Sequence, residues 1–244
     1  MEILVLISLL SLNIGDSLFK EGDFFNAITE YKRELYFASS DSNLLLRKMA
    51  LCYVKRGLFE EAASYYSDIL YENPSTEVQR LFALCLIKMK KYSEARELLA
   101  GLKDSLAMTL LTISEGLNGN YFDAFRSLDS FGINYPKYMS LNKLKTASMI
   151  LPGSGLLFLG DVPLFLGTLT LSTLGAYVVY YYLKKGLVYE ALFSGYPIIE
   201  RFYRGGIRNT KVKYRLYYDK FFKSLLRQVE SQLIKEEEAQ LFSQ

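Results

Sequence analysis

The chain of 244 residues contains no histidine and no tryptophan, and only two cysteines. Each shortage removes a class of chemistry. Without histidine there is no Ser-His or Cys-His dyad, no histidine-bearing metal site and no simple charge switch near neutral pH. Cys52 and Cys85 alone cannot make a structural zinc site. Pro152-Gly153-Ser154-Gly155 lacks the Lys-Ser/Thr pair of a phosphate loop and the G-x-S-x-G frame of a nucleophile elbow. Acidic residues are scattered without a paired constellation. No catalytic residue, cofactor, metal ligand or small-molecule substrate is expected, and the chain reads as a non-enzyme.

What is present is repetition. Gly22-Asp23-Phe24 with Ala27 and Tyr31 returns as Gly57-Leu58-Phe59 with Ala62 and Tyr66. Weaker echoes follow at Tyr92/Ala95/Leu99 and at Gly119-Asn120-Tyr121/Ala124/Leu128. The alanines recur at intervals of 35, 33 and 29, near the period of a helix-turn-helix solenoid. Residues 44–56 place Met49, Ala50 and Tyr53 on one helical face, and residues 60–72 return with Ala62, Tyr66 and Ile69. Small residues are needed where paired helices approach, and Tyr66 fills the space beside them. A hairpin of this length cannot bury its apolar face alone, so about four units over 13–136 must stack. The two cysteines share one repeat position, ~8–10 Å apart on stacked helices, beyond disulfide reach; they read as buried fillers.

An uncharged run, VPLFLGTLTLSTLGAYVVYYYL, fills residues 162–183 and is long enough to cross a bilayer, with Tyr177, Tyr180, Tyr181 and Tyr182 clustered at one end. Residues 187–199 form a weaker apolar segment, whose Glu190 and Pro197 suit a helix returning against the first. A membrane helical hairpin is expected over 146–207; a buried hairpin of a soluble domain is the alternative. Charge is unevenly placed: residues 13–145 carry 17 basic and 17 acidic side chains, whereas 184–235 carry 12 basic and 4 acidic ones. The basic excess lies where anionic lipid would attract it, so Arg201, Arg204, Arg208, Lys211 and Lys213 are candidate membrane-surface residues. The stretch 201–227 interleaves nine basic residues with seven aromatics, a pattern that also suits RNA. Its place beside an apolar segment favours lipid, and no nucleic-acid partner is expected. Residues 211–240 form an amphipathic C-terminal helix with an apolar face through Tyr214, Tyr217, Phe221, Leu225, Val229 and Leu233. It is expected to dock on the last solenoid hairpin rather than lie on lipid. At the other end, the apolar run 3–12 within residues 1–12 suits a signal or leader, or else the outer helix of the first repeat.

Gly57, Ala62, Tyr66 and Pro74 resemble the tetratricopeptide repeat pattern. The chain further resembles a bacterial group of envelope proteins, with EGDFFNAITEYKRELYF at 21–37, LPGSGLLFLG at 151–160 and RFYRGGIRN at 201–209. That group joins a signal sequence, tetratricopeptide repeats and a C-terminal membrane hairpin with a Pro-Gly-x-Gly entry. Where the group carries an aromatic before the hairpin glycine, Leu159 precedes Gly160 here.

The fold class is therefore all-α: a tetratricopeptide-like solenoid, an apolar membrane hairpin and an amphipathic C-terminal helix. The tetratricopeptide resemblance implies that the first helix of each hairpin lines a concave groove. Lys20, Lys55 and Lys88 then share one position, Arg47 and Arg80 a second, Leu51 and Leu84 a third, with Phe19 on the apolar floor. One reading is a membrane-anchored adaptor whose groove captures a protein or peptide segment bearing carboxylates, in envelope assembly or secretion. The other is a structural membrane subunit whose groove its own C-terminal helix fills. A cleaved signal would put the repeats outside the cytoplasm, whereas the basic flanks would hold them inside; the group resemblance favours the extracytoplasmic side.

Overall fold

Four helical hairpins follow from four copies of one turn. In the computed structural model, which describes residues 14–37, 42–130, 132–133 and 139–242, Gly57 ends a helix with φ 75°. Its N–H reaches the Val54 carbonyl at 2.9 Å, and the Leu58 N–H reaches that of Tyr53 at 2.9 Å. This left-handed cap satisfies carbonyls that a helix end leaves open, and glycine adopts it without a Cβ clash. The same pair of bonds recurs at Gly22, Lys90 and Gly119, all with positive φ. Lys90 does so without being glycine, at φ 64°. The expected leader at 1–12 lies outside the described residues.

The helices so divided are α1 (residues 14–21), α2 (Phe24–Phe37), α3 (Ser42–Lys55), α4 (Phe59–Glu72), α5 (Thr76–Lys88), α6 (Tyr92–Leu99), α7 (Ser105–Leu117) and α8 (Tyr121–Ser130). Ala27, Ala62, Ala95 and Ala124 are all fully buried five residues after their turns, and Tyr31 and Tyr66 are fully buried four residues further on. Ala50 and Ala83 pack from the preceding helices, also without exposure. Ser75 and Asp104 cap α5 and α7, accepting from the N–H groups of Val78 and Ala107. The fold is all-α, and no strand occurs among the described residues.

Two compact units emerge: Met1–Leu128 with Lys223–Gln244, and Asp129–Phe222. In the second, α9 (Leu141–Ile150), α10 (Ser154–Phe158) and α11 (Val162–Lys184) are followed by α12 (Val188–Glu190), a π-helical turn (Ala191–Gly195) and α13 (Tyr196–Phe242). Among the described residues, α11 alone is long and apolar enough to cross a membrane, by length and composition. Glycine lets its neighbours come close. A methyl at Gly195 would sit 2.5 Å from Val179 Cγ2, and one at Gly175 would sit 3.0 Å from Ile199. At Gly155 it would meet the Thr210 methyl at 2.5 Å and the Ser148 hydroxyl at 2.6 Å. The π turn ends two residues before Pro197, which has no N–H to donate into the helical ladder and whose ring crowds the preceding turn.

α13 runs unbroken through 207–211, where the sequence suggested separate segments; Gly206 is buried in a close helix contact rather than placed in a turn. Its buried stripe is Tyr214, Tyr218, Phe222, Leu225, Leu226, Val229, Leu233, Glu237 and Leu241. Of the expected face, Tyr214, Leu225, Val229 and Leu233 are buried; at Tyr217 and Phe221 the buried position falls one residue later, and Tyr217 is 43% exposed. The displacement arises because α13 continues the four-residue phase of Gly206 and Thr210 from the apolar hairpin.

Candidate interaction groove

α1, α3 and α5 are the first helices of their hairpins and carry every predicted groove residue. Along them lies the last part of α13. Lys88 Nζ is 2.5 Å from Glu230 Oε2, and Lys55 Nζ is 2.5 Å from Glu238 Oε1. Between these pairs the Arg47 guanidinium donates to both oxygens of Glu237, at 2.9 and 2.6 Å, and to Gln240 at 2.8 Å. Phe242 stacks on Phe19, with ring centroids 4.5 Å apart. Residues 230 to 242 thus run from the third repeat back to the first, against the repeat order. These contacts of residues 230–242 lie on the groove helices α1, α3 and α5.

The floor is sealed. Leu51 and Leu84 have no exposure, and Phe19 is buried. Arg80 pairs with Asp104 at 3.3 Å, the residue that caps α7, while bordering the space beside Leu233 and Glu237 of α13. Lys20 is exposed at a cavity of about 390 Å³ bordered by Phe19, Phe24, Lys55, Glu238 and Phe242. Of the eight predicted residues, five are therefore joined by the chain's own helix or buried beneath it through recorded pairs and packing: Phe19, Arg47, Lys55, Lys88 and Leu51.

Beneath the end of α13 sits a polar cluster that the repeat pattern did not reveal. Buried Lys48 donates to Asp16 at 2.8 and 2.9 Å, and the Tyr31 hydroxyl donates to Asp16 at 2.8 Å. Lys48 also lies 5.0 Å from the centroid of the Phe242 ring. Glu34 is 2% exposed, and one of its carboxylate oxygens has no hydrogen-bond partner. Burial pushes its carboxyl up to about 6, against the opposing pull of Lys48. Burial also pushes the Cys52 and Cys85 thiols up to about 12, as suits filler residues rather than nucleophiles.

Sequence reasoning missed the carboxylates that answer the groove cations. Glu230, Glu237 and Glu238 lie on one side of a helix, seven and one residues apart, and this spacing was the available signal. On the other unit, Arg201, Arg204, Arg208 and Lys211 are exposed on α13. Arg204 pairs with Glu200 at 2.6 Å. Lys213 instead turns to Asp161 at 2.7 Å, and that contact lowers the Asp161 carboxyl below its usual range.

Comparison with family models agrees with the repeat fold. The family model for anaphase-promoting complex, cyclosome, subunit 3, a tetratricopeptide-like family, matches residues 20–102, about a third of the chain. A crystal structure of a tetratricopeptide repeat protein from Parabacteroides merdae is similar at 20% identity, over 97% of this chain and 84% of that one, with a TM-score of 0.44. No curated protein matches. Repeats of this kind form a protein-interaction scaffold.

Proposed function

We propose that the chain is a non-enzymatic, membrane-anchored scaffold whose solenoid groove is filled by its own C-terminal helix. The observation supporting the filled groove is the set of three cation–carboxylate contacts, Lys88–Glu230, Arg47–Glu237 and Lys55–Glu238, closed by the Phe19–Phe242 stack. A free peptide would have to displace all four. Capture of a carboxylate-bearing segment at Lys20, Arg47, Lys55, Arg80 and Lys88 therefore requires α13 to leave first. The scaffold offers partners its remaining surfaces.

The uncharged α11 and its close-packed return helix support anchoring through residues 146–207. The resemblance to bacterial envelope proteins supports a place in the cell envelope, with the repeats extracytoplasmic and a role in assembly or secretion. Hydrogen exchange of the full chain tests the filled groove. Amides of residues 229–241 should exchange only with global unfolding of the solenoid, as the slowest amides of α3 and α5 do. Exchange at a far lower free energy would mean a detachable helix and would return the groove to partner capture.

A further inference from the structure

The two arms of the apolar hairpin have a fixed register. Gly195 faces Val179, Gly175 faces Ile198 and Ile199, Gly206 faces Thr168, and Lys213 pairs with Asp161. Each step along α11 is matched by one step back along the returning helix. Thr170 is therefore level with Arg204, Thr173 with Arg201, and Leu166 with Arg208. Arg201 is thus level with the middle of α11, a helix roughly 34 Å long at 1.5 Å per residue, Arg204 lies about 5 Å from that level and Arg208 about 10 Å from it.

Level residues face opposite ways. α11 packs through Phe165, Thr168, Ser172 and Gly175, so Leu166, Thr170 and Tyr177 point outward. Its outward hydroxyls are satisfied within the helix: Thr170 and Thr173 donate to the Leu166 and Leu169 carbonyls at 2.8 Å. That face is apolar along its length. The returning helix packs through Ala191, Gly195, Gly206 and Thr210, which turns Arg201, Arg204, Arg208 and Lys211 to the opposite side.

A hairpin crossing the bilayer would carry Arg201 and Arg204 close to mid-depth, with Glu200 paired to Arg204. Charges there are expensive and need partners. We infer that the hairpin lies in the plane of one leaflet, its α11 face among the acyl chains and its arginine face in water, instead of crossing. Helices with one apolar and one charged side take this position. The tyrosines at the hairpin end, Tyr177, Tyr180, Tyr181 and Tyr189, are exposed and suit the headgroup level that an in-plane hairpin occupies. The inference rests on the membrane anchoring proposed above.

The test uses the full chain added to preformed vesicles of phosphatidylcholine and phosphatidylglycerol. Lys143→Cys and Lys185→Cys mark positions at the two ends of the hairpin; the native thiols are buried and unreactive. An impermeant maleimide should label both variants fully from outside. Thr170→Cys and Arg204→Cys, carrying a fluorophore, sit at one level on opposite faces. Chain-brominated lipid should quench the first severalfold and leave the second unchanged. Protection of either end until detergent is added, or equal quenching at the two faces, overturns the in-plane seating. Failure of the unmodified chain to float with the vesicles would instead overturn the anchoring itself, and the seating with it.

Discussion

Removing Arg47 alone should be more damaging than removing Arg47 and Glu237 together. Glu237 is 2% exposed and receives two bonds from the Arg47 guanidinium, while Arg47 keeps 23% of its side-chain exposure. Arg47→Met leaves a buried carboxylate with Gln240 also released. Breaking a fully buried pair costs about 3–5 kcal/mol; the open side of Arg47 lets water reach the site, so about 2–3 kcal/mol is expected. Arg47→Met with Glu237→Met restores an apolar contact and should return to within about 1 kcal/mol of the parent. Arg47→Lys keeps the charge but loses the fork and should fall between them. In urea unfolding the single variant should shift the midpoint downward with an unchanged slope. On heating, 2–3 kcal/mol corresponds to about 4–12 °C for a chain of this size. A single-variant loss below about 0.5 kcal/mol, or a double variant as unstable as the single, would refute the seated helix.

Two further outcomes concern the solenoid itself. Lys90 is exposed and holds φ 64°, where a Cβ costs about 1 kcal/mol; Lys90→Gly should raise the melting temperature by a few degrees, and any decrease would show that the strain is not there. Glu34 has a folded pKa raised from 4.5 to about 6, so the fold binds the extra proton and loses stability as pH rises from about 4.5 through 6. Glu34→Gln should match the parent near pH 4 and exceed it by about 1–2 kcal/mol at pH 7.5; a difference that does not grow across that window would discard the buried-carboxylate account.

The repeats were legible because their requirements are local. A glycine that closes a helix and an alanine five residues later are both set by backbone geometry within one turn, so Gly22, Gly57 and Gly119 announce themselves. The third turn was harder to see, since Lys90 accepts the left-handed conformation without glycine. The C-terminal helix was one of two occupants the sequence offered for the groove, but the pairs that seat it were illegible for a different reason. Arg47 and Glu237 are 190 residues apart, and Lys88 and Glu230 are 142 apart. A pattern read along the chain shows each cation ladder and each acidic run as solvated surface, and only the tertiary fold pairs them. The phase of α13 was misread at Tyr217 for a related reason: its stripe is fixed upstream, by contacts of Gly206 and Thr210 within the apolar hairpin.

One turn is used in both halves of the chain. Lys184-Lys185-Gly186-Leu187-Val188-Tyr189-Glu190-Ala191 parallels Lys55-Arg56-Gly57-Leu58-Phe59-Glu60-Glu61-Ala62. Gly186 and Leu187 donate to Leu183 and Tyr182 at 3.0 Å, matching the bonds of Gly57 and Leu58. The two hairpins diverge four residues after the alanine. There the repeat has Tyr66, a fully buried wedge, whereas the apolar hairpin has Gly195, packed against Val179. Exchanging the wedge for glycine closes the seam between the arms. On the outer side of that seam Tyr189 and Phe193 are 77% and 78% exposed. The equivalent positions of the repeat, Glu60 and Ser64, are exposed and polar, whereas the apolar hairpin carries aromatics there, at its turn end, where an in-plane hairpin would set them at the headgroup level.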